Sequence, residues 1–149
     1  MVNEVEREVQ VLQHYLNEYG QQMEMLSQQL QMIENGRAEA AAAVETLTAL
    51  AASGDGTVLL PVGGGASLRV KVLEPDRVLL SIGANVIVER QNAEAKSFLE
   101  DRMLEMEASG KRVAETLGKI QGQANEVARR LDQIYRAVQQ GQAPPASTG

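Results

Sequence analysis

The sequence predicts an α+β chain: a long antiparallel two-helix coiled coil with two central β-hairpins that join an oligomeric β-barrel. Three observations carry this. Apolar residues step by four and three from Val5 to Ala51 and again from Leu99 to Val138. The stretch between those arms alternates apolar and polar with period two. Aromatic residues make up only 3% of the 149 residues, too few rings for a compact core of that size and well suited to a narrow Leu/Val/Ala seam.

The first arm, residues 1–52, carries the series Val5, Val9, Leu12, Leu16, Tyr19, Met23, Leu26, Leu30, Ile33, Arg37, Ala40, Val44, Leu47, Ala51, broken only by Arg37. The second, residues 92–140, carries Leu99, Met103, Met106, Gly110, Val113, Leu117, Ile120, Ala124, Val127, Leu131, Ile134, Val138, broken only by Gly110. A seven-residue repeat sustained this long keeps one seam facing a partner and imposes a left-handed supercoil. Each arm, if helical throughout, is ~70 Å long. Folded back on each other, the arms pair Val5 with Val138, Leu12 with Leu131, Leu26 with Leu117 and Val44 with Leu99. Arg37 then faces Met106, and Gly110 faces Ile33. A slip of one heptad satisfies the same spacing, and so does pairing between arms of different chains.

Residues 53–91 read as β. Ser53-Gly54-Asp55-Gly56 stops the first helix. Val58, Leu60 and Val62, then Leu68, Val70 and Val72, then Val78, Leu80 and Ile82, then Val86 and Val88 all fall at even positions, which places them on one face of half-buried strands. Leu59, Leu73, Leu79 and Ile87 lie at odd positions, so the second face is partly apolar too. Gly63-Gly64-Gly65, Glu74-Pro75-Asp76-Arg77 and Gly83-Ala84-Asn85 supply the turns. Four strands of about six residues cannot enclose a core, and their edges stay open. The even face is therefore the expected assembly device. Residues 141–149, with Pro144-Pro145, cannot continue a helix and read as a disordered tail.

Composition removes several function classes. The chain has no Cys and a single His, so thiolate chemistry, disulfides and His-rich metal sites are not expected. Net charge is −6, and the excess lies wholly in residues 1–52, which hold eight acids against two bases. That balance disfavours nucleic acid and anionic lipid. No apolar run reaches the length of a membrane span and no secretory leader is evident, which points to the cytoplasm. His14 takes an outermost helix position. Gly63-Gly64-Gly65 lacks the following Lys-Ser/Thr and helix of a phosphate loop. The carboxylates of the arms are spaced for solvent, Arg37 reads as a side chain reaching out past the seam, and Met23, Met103 and Met106 read as seam packing. No catalytic, cofactor or metal constellation emerges, and an enzyme is not expected.

The run Leu59-Leu60-Pro61-Val62-Gly63-Gly64-Gly65, then Val70-Lys71-Val72-Leu73-Glu74-Pro75-Asp76-Arg77-Val78 and Ile82-Gly83-Ala84-Asn85-Val86-Ile87-Val88-Glu89, resembles the prefoldin family. The two hairpins match its alpha class, where the beta class has one, and the absence of Cys and short chain suit an archaeal member. The resemblance implies a hexamer of two alpha and four beta subunits, with hairpins in a double barrel and six coiled-coil tentacles. It implies an ATP-independent chaperone that captures non-native proteins at its tips and passes them to a group II chaperonin. At the free end of a two-helix coil no further layer covers the seam, so Val2, Val5, Val9 and Leu12, with Leu131, Ile134 and Val138, are the expected client-binding residues. Each offers at most ~1.5–3 kcal/mol on burial, and several tips on one scaffold multiply that by avidity. The alternative is a structural tether or scaffold subunit, whose tips would carry a specific polar docking pattern. An enzyme appendage would need a basic arm and an attached catalytic domain.

Overall fold

The computed structural model describes residues 3–141. The elements run α1 (Glu4–Ala52), β1 (Thr57–Gly63), β2 (Ala66–Lys71), β3 (Arg77–Gly83), β4 (Val86–Gln91) and α2 (Asn92–Gln139). Val2 and the expected tail beyond Gly141 lie outside the described residues. Two units follow from the contacts: a central one, residues 33–109, and a terminal one that joins residues up to 32 with those from 110 onward.

In the central unit, β1 pairs only with β2 and β3 only with β4, giving two separate antiparallel hairpins. They are a structural repeat offset by twenty residues. Val58-Leu59-Leu60 recurs as Val78-Leu79-Leu80, and Gly63 recurs as Gly83. Val58 pairs with Val70 and Leu60 with Leu68, while Val78 pairs with Arg90 and Leu80 with Val88. Each ladder shifts register at the same place, between Pro61 and Gly63 and between Ser81 and Gly83. Gly63, Gly64 and Gly65 turn with φ of 108°, 61° and 81°; Gly83, Ala84 and Asn85 repeat that path at 108°, 49° and 62°. Val72 N–H closes the first hairpin on Gly56 C=O at 2.9 Å, and Asn92 N–H closes the second on Asp76 C=O at 3.0 Å.

The connections are fixed by short-range chemistry. α1 ends at Ala52, where the Ser53 hydroxyl donates to Leu50 C=O (2.8 Å), and Gly54 turns the chain out of the helix at φ +71°, where an L side chain would be strained. A Cβ on Gly56 would lie 3.0 Å from Val72 C=O, so only glycine fits that crossing. The Asp55 carboxylate accepts the Thr57 N–H at 3.0 Å, and this hydrogen bonding holds its pKa below the ordinary value of 3.8. Asn92, the first residue of α2, is buried and donates Nδ2–H to Leu47 C=O (3.1 Å), tying the start of α2 to the end of α1.

The seam of the central unit departs from the strict four-three series. Arg37 is half-exposed and pairs with Glu34 at 3.2 Å, one turn back on its own helix. Gly36 is the residue that approaches α2: a Cβ there would lie 3.1 Å from Met106 Sδ. From that point the buried face runs through Ala40, Ala43, Leu47 and Leu50, and Ala51, expected in the seam, is exposed. Ala40 and Leu47 thus keep their expected places, while Gly36 and Leu50 take the places expected of Arg37 and Ala51, one residue earlier. A guanidinium is costly to bury, and replacing a four-step by a three-step turns Gly36 inward instead.

In the terminal unit the in-chain hairpin of arms is observed. Ala124, Leu131, Ile134 and Ala137 of α2 are buried, and Val5, Val9, Leu12, Leu16, Tyr19, Met23, Leu26 and Leu30 of α1 are half-buried. Polar contacts also cross between the helices, among them Arg130 Nε–H to Glu8 Oε1 at 2.8 Å and Gln13 Nε2–H to Tyr135 Oη at 3.0 Å. A one-heptad slip would set Glu8 opposite neutral residues, so these contacts select among registers that the apolar spacing leaves equivalent. Charge is also partitioned. In this unit α1 carries Glu4, Glu6, Glu8, Glu18 and Glu24 against Arg7, whereas α2 carries Lys111, Arg112, Lys119, Arg129, Arg130 and Arg136 against Glu115, Glu126 and Asp132.

Candidate functional site: an assembly face and a terminal groove

The strand alternation places the candidate assembly residues on one face of each hairpin, but the two faces are covered differently. In hairpin 1 (β1–β2), Leu60 is 50% exposed and Val62 and Leu68 are equally open; Val58, Val70 and Val72 are half-buried. In hairpin 2 (β3–β4), the repeat-equivalent Leu80 is only 7% exposed, Val78 and Val88 are half-buried, and Ile82 and Val86 near the turn are exposed. Leu80 and Val88 border a groove of about 520 Å³ shared with Ala93, Ser97 and Phe98 of α2, so α2 flanks this face while hairpin 1 has no such neighbour. The odd face is apolar as well: Leu59, Leu79, Ile87 and Leu73 are all exposed. A set of eleven aliphatic assembly candidates, with only Leu80 buried, is a surface that a single chain leaves wet.

At the other candidate site the seam is closed. Leu131 and Ile134 are buried between the helices, so they pack the coil rather than face outward, and Val5, Val9 and Leu12 are half-buried. Val138 alone of the described tip candidates is well exposed, at 58%. A groove of about 330 Å³ opens here, bordered by Val5, Val9, Ile134, Tyr135 and Val138, with Glu6 and Gln10 at its rim. Sequence periodicity missed a further set. Val11, Met25 and Met32 are exposed on the outer side of α1, spaced by multiples of seven, and exposed Tyr15 sits one turn beyond Val11, its ring 6.4 Å from that of Tyr19. The signal was in the sequence, since apolar residues at outer heptad positions have no partner within a two-helix coil. Between Val9 and Ile33 α1 carries only Glu18 and Glu24 as full charges, which leaves that outer stripe bordered by glutamines.

Among the described residues no group of three His, Asp or Glu side chains is placed to hold a metal ion, and no helix is long and apolar enough to cross a membrane. A separate cleft lined by Glu74, Arg77, Glu89 and Arg90 is polar and carries the Arg77–Glu89 ion pair at 3.1 Å.

Comparison with known proteins agrees with this architecture. A family model described as a prefoldin subunit matches residues 19–137. The chain is 56% identical over 140 residues to the prefoldin subunit alpha of Methanoregula boonei, covering 94% of this chain and 92% of that protein. It is 58% identical over 137 residues to the prefoldin subunit alpha of Methanoculleus marisnigri, covering 92% of each. Among solved structures it is similar to filamentous PFD from Methanocaldococcus jannaschii, with a TM-score of 0.64 and 25% identity, over 78% of this chain and 97% of that one.

Proposed function

The chain belongs to the prefoldin family, as an alpha-class subunit of archaeal type with a chaperone-type role, and from that premise we propose that it is an ATP-independent holdase that captures non-native proteins on the terminal part of its arms. It does so within a hetero-oligomer of two alpha and four beta subunits, in the cytoplasm, and hands its clients to a group II chaperonin. The observation that carries the reading is the terminal groove: an apolar hollow with Val138 58% and Tyr135 45% exposed, next to a seam that is otherwise closed. A hollow of that size takes one or two aliphatic side chains. Burying each stabilises by at most ~1.5–3 kcal/mol, so one arm binds weakly. Several arms on one scaffold bind firmly through effective concentration. The exposed Val11, Tyr15, Met25 and Met32 widen the surface, and flexible thioethers adapt to side chains of different shape. Contacts of this kind recognise apolarity and no particular sequence, which is what unfolded chains have in common.

The roles of the candidate residues divide accordingly. Val5, Val9 and Val138 offer contact area, whereas buried Ile134 forms part of the groove's wall and buried Leu131 packs the seam beside it. The test is suppression of aggregation of a diluted denatured protein by the chain assembled with its beta partner, without nucleotide. Replacing Val9, Val11, Tyr15 and Val138 by Ser leaves the buried Leu131 and Ile134 intact and is expected to weaken holding several-fold at unchanged oligomer mass. An assembled variant that holds the denatured protein as well as the parent would sink client capture at this site.

A further inference from the structure

The two hairpins share a backbone path but not an edge. The Val72–Gly56 and Asn92–Asp76 hydrogen bonds fall in the register of their hairpins, which fixes the alternation of the ladders. Even-numbered residues direct N–H and C=O groups across the hairpin, and odd-numbered residues direct theirs outward. The outer edge of β2 therefore offers three donors, the N–H groups of Ser67, Arg69 and Lys71, and β4 offers those of Ile87, Glu89 and Gln91. On β3, Arg77 N–H is engaged by Glu74 C=O at 3.1 Å, which leaves Leu79 and Ser81. On β1, Thr57 N–H is engaged by Asp55 Oδ1 at 3.0 Å and Pro61 has no N–H, so Leu59 is the one donor left.

We propose that the outer edge of β1 is the weak seam of the assembled sheet, the junction with a neighbouring subunit's edge strand that closes last and opens first, with Pro61 and the Asp55 cap setting its place. The proposal rests on the reading that the hairpins join a shared barrel. A strand laid along β1 meets carbonyls at Thr57, Leu59 and Pro61 but a donor only at Leu59, so its own carbonyls beside Thr57 and Pro61 find no partner. Proline on an exposed edge is a recurrent way of discouraging strand addition. The other three edges keep two or three donors each, so subunits joined there stay joined while β1 opens. Position 61 is the clearest difference between the repeats on this edge, because hairpin 2 carries Ser81 in the same place.

The test uses the full chain assembled with its beta partner, with oligomer mass measured by native mass spectrometry. Amide hydrogen exchange in the assembly, corrected for intrinsic rates, is expected to be at least about tenfold slower at Ser67, Arg69 and Lys71 than at Leu59. Pro61→Ser gives β1 the residue that hairpin 2 already folds with. It is expected to slow subunit exchange between isotopically labelled and unlabelled assemblies by about fivefold, while Ser81→Pro speeds it. Leu59 protected as strongly as the β2 amides, or an exchange rate unmoved by Pro61→Ser, overturns the weak seam and leaves the barrel standing. A chain that stays monomeric beside its partner overturns the barrel reading and the seam with it.

Discussion

Hairpin 1 and hairpin 2 follow one backbone path, with the same bulge, the same turn and the same closing hydrogen bond, yet Leu60 is half exposed where Leu80 is buried. Identical local structure therefore says nothing about what covers it. Hairpin 2 continues directly into α2, whose first turns flank its apolar face and whose Asn92 is held by Asp76 and Leu47. Hairpin 1 is followed by Leu73-Glu74-Pro75-Asp76, which offers only an exposed Leu73. One repeat is part of the folded chain's own core, and the other leaves its apolar face exposed.

The largest test of this contrast is a charge on each face. Leu80→Asp buries a carboxylate without a partner and is expected to cost the isolated chain ~3 kcal/mol or more, read as a lower melting temperature by circular dichroism. Leu60→Asp is expected to leave that melting within about 0.5 kcal/mol while abolishing association, read as mass by light scattering. Equal destabilisation of the isolated chain by both would break the comparison.

A second test makes hairpin 2 resemble hairpin 1 at its closing residue. Asn92 and Val72 are repeat-equivalent, but only Asn92 adds a side-chain bond. Asn92→Val should cost about 1–2 kcal/mol, because Leu47 C=O loses its donor in a part-buried place. A smaller effect of opposite sign is expected at the turn. Ala84 is held at φ 49° where hairpin 1 has glycine, so Ala84→Gly should stabilise by about 0.5–1 kcal/mol, measured in the same melts.

The smallest effect is a response to acid. Asp55 has its pKa depressed by the Thr57 hydrogen bonds, so its contribution is present above the unfolded value of 3.8 and lost as pH falls through the lower folded value. Hairpin 2 has Pro75 at the equivalent place and no such group. Between pH 5 and 3, exchange of the Thr57 amide should rise relative to that of Arg77, and Asp55→Asn should remove the difference.

Much of this architecture was legible in the sequence. The heptad series gave two long helices, and period-two alternation with glycine turns gave four strands in two hairpins. What stayed hidden has definite physical causes. Alternation treats every even residue alike, so it placed Leu60 and Leu80 in one class; only the packing of α2 separates them. The heptad series put Arg37 and Ala51 in the seam, because a periodic pattern carries no term for the desolvation of a guanidinium that shifts the frame to Gly36. The tip candidates came from the idea that a coil's last layers fray, and Leu131 and Ile134 are instead buried against α1. Attention to the seam also passed over Val11, Met25 and Met32, which are apolar at positions where a two-helix coil has nothing to cover them.

The Asn92 side-chain bond to Leu47 bears on the order in which the chain folds. It closes a loop of 45 residues, whereas the Glu8–Arg130 contact closes one of 122. By the logarithmic cost of loop closure the longer one is about 0.9 kcal/mol more expensive in entropy if it forms first. The two hairpins lie inside the shorter loop and draw its ends together, since strand pairs with a two-residue turn form in microseconds. Nucleation is thus favoured at Leu47 and Asn92, and each further layer of helix pairing then closes only a short additional length of chain. Elongating from a local start in this way spares the chain the full closure cost of its long-range pairs, and it leaves residues 5–12 and 131–138 to pair last.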